Sequence, residues 1–165
     1  MRKKILISGG NGKFASELII HGSGIFDISS PNRARMNINN PRQIYCNIVK
    51  FNPDYFIHTA AMTRPMKNHE ISPLKSMKTN IEGTCNIVDA CSTTNVKLIY
   101  ISTDYVYPGE KGNYSEKDGV LPFTKYGWSK LGGECAVQMY DNSLILRVAM
   151  CEKPFPHRYA MIDVK

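Results

Sequence analysis

The stretch KILISGGNGKFA, residues 4–15, decides how the whole chain is read. KILIS is the apolar, β-branched run of a buried parallel strand, and it meets Gly9 and Gly10, where the chain has to turn sharply. From Lys13 to His21 a helical pattern places Phe14, Leu18 and Ile19 on one side, and Gly22 and Gly24 end it. Gly9, Gly12 and Ala15 therefore stand directly after a strand and at the mouth of a helix. Glycine serves where the backbone turns with positive φ or must approach a phosphate with no Cβ in the way. The helix start then offers free N–H groups and a partial positive charge to a pyrophosphate. Strand, turn and helix in this order are the setting such a glycine pattern needs, so we read a dinucleotide site rather than a plain connection.

Working outward, the same alternation repeats. Ile25–Ile28 is a second strand, and Pro41–Phe51 a helix with proline at its opening. Tyr55–Thr59 is a third strand, Pro73 to about Thr94 a long helix, and Val96–Ser102 a fourth strand. Thr124–Tyr140 is a further helix and Ser143–Val148 a last strand. Strands alternating with helices of these lengths imply an α/β fold: a doubly wound parallel sheet of Rossmann type with helices on both faces. Residues 1–150 make one such unit, and 151–165, with two prolines and no periodicity, read as a connector.

Composition narrows the function. A chain of 165 residues with 42% hydrophobic and 21% charged residues is about one globular domain. It has no apolar run long enough to span a bilayer, and MRKKILISGG is not a signal peptide; the expectation is a cytoplasmic protein with no membrane partner. The five cysteines contain no C-x-x-C pair, which argues against a disulfide framework or a zinc site. Lys and Arg give a net charge of +7 but are scattered, which suits an anionic small ligand better than nucleic acid.

Two positions bear on the choice of dinucleotide. Asp27, at the end of the second strand, would accept hydrogen bonds from a ribose 2′-OH and favour NAD. Arg33 and Arg35 would instead hold a 2′-phosphate, and they win if Asp27 faces the core side or caps the loop. The strand position of Asp27 tips the expectation slightly to NADH over NADPH.

In YGWSK, Tyr126 and Lys130 lie at i and i+4 of a helix, on one face. A tyrosine hydroxyl is a poor proton donor and base at neutral pH until neighbouring positive charge lowers its pKa, and Lys130 supplies such a neighbour. Thr103, at the end of the fourth strand, would orient a substrate oxygen between its hydroxyl and that of Tyr126.

SGGNGKFA, STDYVY, YSEKD and YGWSKLGGE, in this order and spacing, resemble the extended short-chain dehydrogenase/reductases, and among them the dTDP-4-dehydrorhamnose reductases. The resemblance implies a nicotinamide-dependent reductase of a 4-keto-6-deoxy sugar nucleotide, with Thr103, Tyr126 and Lys130 catalytic. Gly9, Gly12, Lys13 and Phe14 match the pyrophosphate loop, and Ala61, Met62 and Thr63 the turn along the cofactor. Asp104 matches a substrate contact and Asn80 a helix residue that braces the site. Asn37 stands where relatives often carry an Asp near the adenine, and His58 where an Asn is usual. TRPMKNHE lacks the acidic pattern that relatives show after the third strand. No metal site is implied, and a homo-oligomer is compatible with the resemblance.

Sugar-nucleotide dehydratases place an Asp-Glu pair after the Thr, whereas here Tyr105 follows Asp104; epimerases show a Ser-rich turn. Family members continue for well over another hundred residues that build a substrate lobe. The expectation is therefore a cofactor-binding part, with the C-terminal substrate lobe absent and residues 151–165 leading toward it. The alternative is a non-catalytic nucleotide-binding regulatory subunit, a form the resemblance also admits.

Overall fold

The computed structural model describes residues 1–149; the connector expected at 151–165 lies outside the described residues. In chain order the elements are β1 (Lys4–Ser8), α1 (Lys13–Gly22), β2 (Asp27–Ser29), α2 (Pro41–Phe51) and β3 (Tyr55–His58). Then come α3 (Lys67–Ile71), α4 (Pro73–Met77), α5 (Gly83–Thr94), β4 (Lys97–Thr103), α6 (Lys125–Gln138) and β5 (Ser143–Val148). A wider π turn, Lys78–Glu82, joins α4 to α5, so the long helix expected from Pro73 to Thr94 is present with one loosened turn in it. The short α3 falls where no element was expected.

All strand pairs are parallel and the order is β2-β1-β3-β4-β5. The chain leaves β1 toward one edge and returns to β3 on its other side. The carboxyl ends of β1 and β3 therefore flank the point where winding reverses, which is where parallel sheets bind ligands. Alternation along each strand divides the core. Leu6, Phe56, Leu98 and Tyr100 meet Ile44, Ile48, Ile87, Cys91 and Val137 of the three helices α2, α5 and α6. On the opposite face Ile5, Ile7, Ile57 and Ile101 meet Ala15, Phe14 and Leu18 of α1. That face carries no other described helix of length, and Leu144 and Leu146 of β5 stay 45% and 38% exposed.

Helix ends are set locally. The Asn40 side chain caps α2 on the N–H of Gln43 with Pro41 in the first turn, and Asn52 ends it in the left-handed region. Thr124 caps α6 through Gly127 N–H at 3.0 Å, and this start fixes where Tyr126 and Lys130 fall on the helix.

Candidate active site

The turn after β1 has the features an anionic ligand needs. Gly9 has φ +79°, and a Cβ there would stand 3.0 Å from the backbone of Ala60, so the β1 and β3 turns are in contact. At Gly10 a Cβ would run into the Ser30 and Pro31 carbonyls, so this backbone lies directly against the turn after β2. Gly12 stands immediately before α1 in an extended conformation, and no side chain caps the first-turn N–H groups of the helix. The buried Ser30 hydroxyl has no hydrogen-bond partner among the described residues. Uncapped helix amides, a Cβ-free approach and an orphaned hydroxyl together fit a pyrophosphate.

The turn after β3 is held from below. Asn80, 1% exposed in the π turn, accepts from Met62 N–H at 2.7 Å and donates to Met62 C=O at 2.9 Å and to Ser129 Oγ at 2.8 Å. One amide thus fixes the Ala61–Thr63 segment and ties it to α6 beside Lys130. His69, buried on α3, makes a second tie through Thr63 C=O at 2.8 Å and Ser76 Oγ at 2.7 Å, with its ring 5.1 Å from that of Tyr126.

His58 sits in a chain of hydrogen bonds that fixes its tautomer. Thr84 Oγ1 donates to Asn80 C=O at 2.7 Å, so it accepts from His58 Nε2–H at 3.1 Å. The Ser8 hydroxyl then donates to His58 Nδ1 at 2.8 Å while accepting from the N–H groups of Thr59 and Ala60. Burial first, and the charge of Lys130 second, push His58 down to about 3, so it is a neutral linker between β1, β3 and the Asn80 turn.

At the end of β4, Thr103 Oγ1 donates to Asp104 Oδ1 at 2.9 Å and accepts from Tyr105 N–H at 3.3 Å, closing a tight turn over Asp104–Val106. Tyr126 is half-buried, and Thr103 is near enough to favour its ionised form. Lys130, 4% exposed, donates from Nζ to Ile101 C=O at 2.8 Å and stands 4.1 Å from the centre of the Tyr100 ring. Tyr107 and Tyr114 stack at 4.6 Å, with Arg147 against Tyr107 and Lys111 against Tyr114, so the segment is held together by aromatic rings and cations.

Thr103, Asp104, Tyr126, Lys130, Gly9, Gly12, Lys13, Phe14, Ala61, Met62 and Thr63 all belong to the carboxyl edge of the sheet. Asn37 belongs to that edge too, in the loop entering α2, where its Oδ1 accepts from Asn39 N–H at 3.0 Å. Two expectations need correction. Asp27 is the first residue of β2, not its end, and pairs with Lys4. It is therefore on the order of 13 Å from the level of the glycine turn, at about 3.3 Å per residue, and cannot meet a ribose there. Nor does Lys130 lower Tyr126. The ammonium is turned onto Ile101 and Tyr100, and Tyr126 is raised above its ordinary 10.0, chiefly by burial, with Thr103 and Arg64 opposing. Tyr126 is thus a neutral phenol at neutral pH, the protonation state of a donor.

Lys130 is pushed down to about 7 by burial, with Glu134 opposing. Between about 7 and its ordinary 10.5 the unfolded chain binds this proton and the folded chain does not, so the group's contribution to stability improves as pH rises through that window. Below it the buried charge is a cost. Lys130→Met is accordingly expected to melt higher than the parent at pH 6, by about 3 °C or more, with the gap closing toward pH 10; thermal melts at the two pH values check this.

Sequence reasoning missed Ser8, His58 as a linker, His69, Ser129, Glu134 and Arg147. A signal existed for two of them. Ser8 and His58 end apolar runs in neighbouring strands and are register partners, which marks a polar pair at a buried strand end.

The order of the sheet and the placement of the glycine turn define a Rossmann-type α/β protein. The family model for the RmlD substrate binding domain matches residues 2–151, and the chain belongs to that family. A dTDP-4-dehydrorhamnose reductase of Aggregatibacter actinomycetemcomitans is 28% identical over 150 residues, covering 88% of this chain and 51% of the relative. The methionine adenosyltransferase 2 subunit beta of Bos taurus is 32% identical over 128 residues, covering 74% and 37%. Among solved structures, the Bacillus anthracis dTDP-4-dehydrorhamnose reductase in complex with NADP superposes with a TM-score of 0.84 at 29% identity, covering 89% of this chain and 53% of that one. The Bordetella bronchiseptica enzyme WbmG in complex with NAD and UDP does so with a TM-score of 0.75 at 25% identity, covering 90% and 54%. The chain spans about half the length of the curated reductases it matches.

Proposed function

We propose that residues 1–150 are the dinucleotide-binding part of an NAD(P)H-dependent reductase acting on a 4-keto-6-deoxy sugar nucleotide, with Thr103, Tyr126 and Lys130 as its catalytic set. The observation that carries this reading is the neutral, half-buried Tyr126 phenol near Thr103, on the carboxyl edge that also holds the uncapped start of α1. A bound nicotinamide dinucleotide would supply the hydride. Gly9, Gly12 and the first turn of α1 hold its pyrophosphate, Lys13 and Phe14 border that turn, and Ala61, Met62 and Thr63 flank the ring. Asn37 stands near the adenine. Thr103 and Asp104 hold the sugar, Thr103 and Tyr126 orient the keto oxygen, and Tyr126 gives it a proton as negative charge develops there. Lys130 would act on the ribose with its ammonium turned from the Ile101 carbonyl, where it lies in this structure.

With Asp27 at the far end of β2, the exposed Arg33 and Arg35 are the side chains placed to read the 2′ position, directly after the turn that touches Gly10. The expected preference is therefore NADPH. Arg33→Ala with Arg35→Ala should weaken NADPH by about tenfold or more while NADH changes little, a loss typical of charge-assisted phosphate contacts. Cofactor fluorescence titrations of parent and variant test this; equal losses for both dinucleotides would contradict it.

The methionine adenosyltransferase subunit relatives favour a second reading, a nucleotide-binding regulatory subunit without turnover. Both readings require dinucleotide binding. They separate on whether any form of the protein reduces a keto sugar in a Tyr126-dependent way.

A further inference from the structure

His69 sits on the short helix α3, and its side chain is fully buried although the helix is only 5 residues long. Two hydrogen bonds fix the imidazole. The Thr63 carbonyl can only accept, so Nε2 carries the proton and donates to it at 2.8 Å, which leaves Nδ1 to accept from the Ser76 hydroxyl at 2.7 Å. One ring thus ties the turn after β3 to α4. The neighbouring Glu70 docks α3 on the start of α6, accepting from Lys125 N–H at 3.3 Å and pairing with Lys125 Nζ at 3.5 Å.

Tyr126 follows Lys125 directly, and the clamped imidazole stands against its ring, with centres 5.1 Å apart and planes tilted by 58°. Tyr105 meets the same ring edge-on at 5.7 Å and is itself stacked on Phe123 at 5.9 Å. Phe123 is 59% exposed, so the Tyr105 contact is backed by a side chain open to water, whereas His69 is held at both nitrogens. A half-buried tyrosine turns about two side-chain bonds, and the second has broad wells. Contact with a fixed ring is what restricts such a phenol to one pose, the condition for a proton donor to meet a reacting oxygen.

We propose that His69 is a positioning residue for the proposed site: clamped between Thr63 and Ser76, its ring holds Tyr126 in place and fixes the donor relative to the turn after β3. The inference rests on the reading of Tyr126 as the proton donor. The rival explanation is that His69 only stitches residues 63–76 together. A stitch affects the stability of that segment and leaves the Tyr126 ring as ordered as before. A positioning contact, once loosened, frees the ring.

The test measures the ring order of Tyr126 by NMR relaxation in the 165-residue chain with 13C-labelled tyrosine, its signal assigned by its absence in Tyr126→Phe. The parent is compared with two variants that loosen the contact in different ways. Ser76→Ala keeps the imidazole and removes its anchor on α4, while His69→Gln keeps an amide donor for Thr63 and removes the ring. Either carries the test if the other fails to fold. In both, the order parameter of the Tyr126 ring is expected to fall by about 0.1 or more, while that of the buried Tyr100 ring stays as in the parent. A lowered melting temperature with the Tyr126 ring as ordered as in the parent overturns the proposal in favour of the stitch. NADPH titration of the parent runs beside it: absence of binding there overturns the proposed function, an outcome separate from the ring order, which is read without cofactor.

Discussion

Gly12→Val is expected to lower NADPH affinity by about 100-fold or more while the protein still folds. The two halves of that result have different causes. Gly12 has φ −78° and ψ 152°, an extended conformation that valine adopts readily, and a Cβ there has only the Gly9 carbonyl oxygen within reach, at 3.1 Å. The fold can therefore accept the side chain by a shift of a few tenths of an ångström. The ligand cannot. The first-turn amides of α1, left uncapped by any side chain, are the groups offered to the pyrophosphate, and a branched side chain at the start of the helix stands in the phosphate's path. An unchanged melting temperature with lost fluorescence transfer to NADPH is the expected pair of observations. Retained affinity would mean that the glycine turn serves only to connect β1 to α1.

The second large effect is on chemistry. In any form of the protein that reduces a 4-keto-6-deoxy sugar nucleotide, Tyr126→Phe should lower kcat by roughly 10²–10⁴, the range for a positioned general acid. NADPH affinity should change by less than about twofold, because the ring contacts with His69 and Tyr105 survive and only the hydroxyl is lost. Since burial raises Tyr126, the parent should not lose activity through this group as pH rises from 6 to 9. Steady-state rates with the keto sugar check both. A variant within a few-fold of the parent would remove Tyr126 as the proton donor and favour the regulatory reading.

The elements that were legible in the sequence are those whose signals are local. α2 was read to the residue because Pro41 opens it and a 3.6-residue apolar period runs through it, and β5 because SLILRV is continuous and bounded. β2 was read two residues early. Ile25 and Phe26 look like strand, but the pairing of Lys4 with Asp27 shows that the ladder begins later, and that offset put Asp27 at the wrong end of the sheet. Register is a non-local property, and no pattern within β2 itself encodes it.

The site divides along the same line. Gly9, Gly12, Thr103, Tyr126 and Lys130 were legible because turn chemistry and helix spacing carry them. The hydrogen-bond partners that hold them were not. Asn80 reaches Met62 and Ser129, and Glu134 reaches Arg147, across sequence separations of 18, 49 and 13 residues. The direction of Lys130 shows the limit most clearly. Four-residue spacing places it on the face of Tyr126, but the Ile101 carbonyl and the Tyr100 ring decide where its ammonium points.

The central claim is that this chain carries a working dinucleotide site built from the β1 turn, the start of α1 and the turn after β3. Calorimetric titration of the 165-residue protein with NADPH at pH 7 tests it most directly. The account predicts saturable binding at one site per chain, abolished by Gly12→Val. No heat of binding up to millimolar NADPH or NADH, from a protein that melts cooperatively, would contradict it.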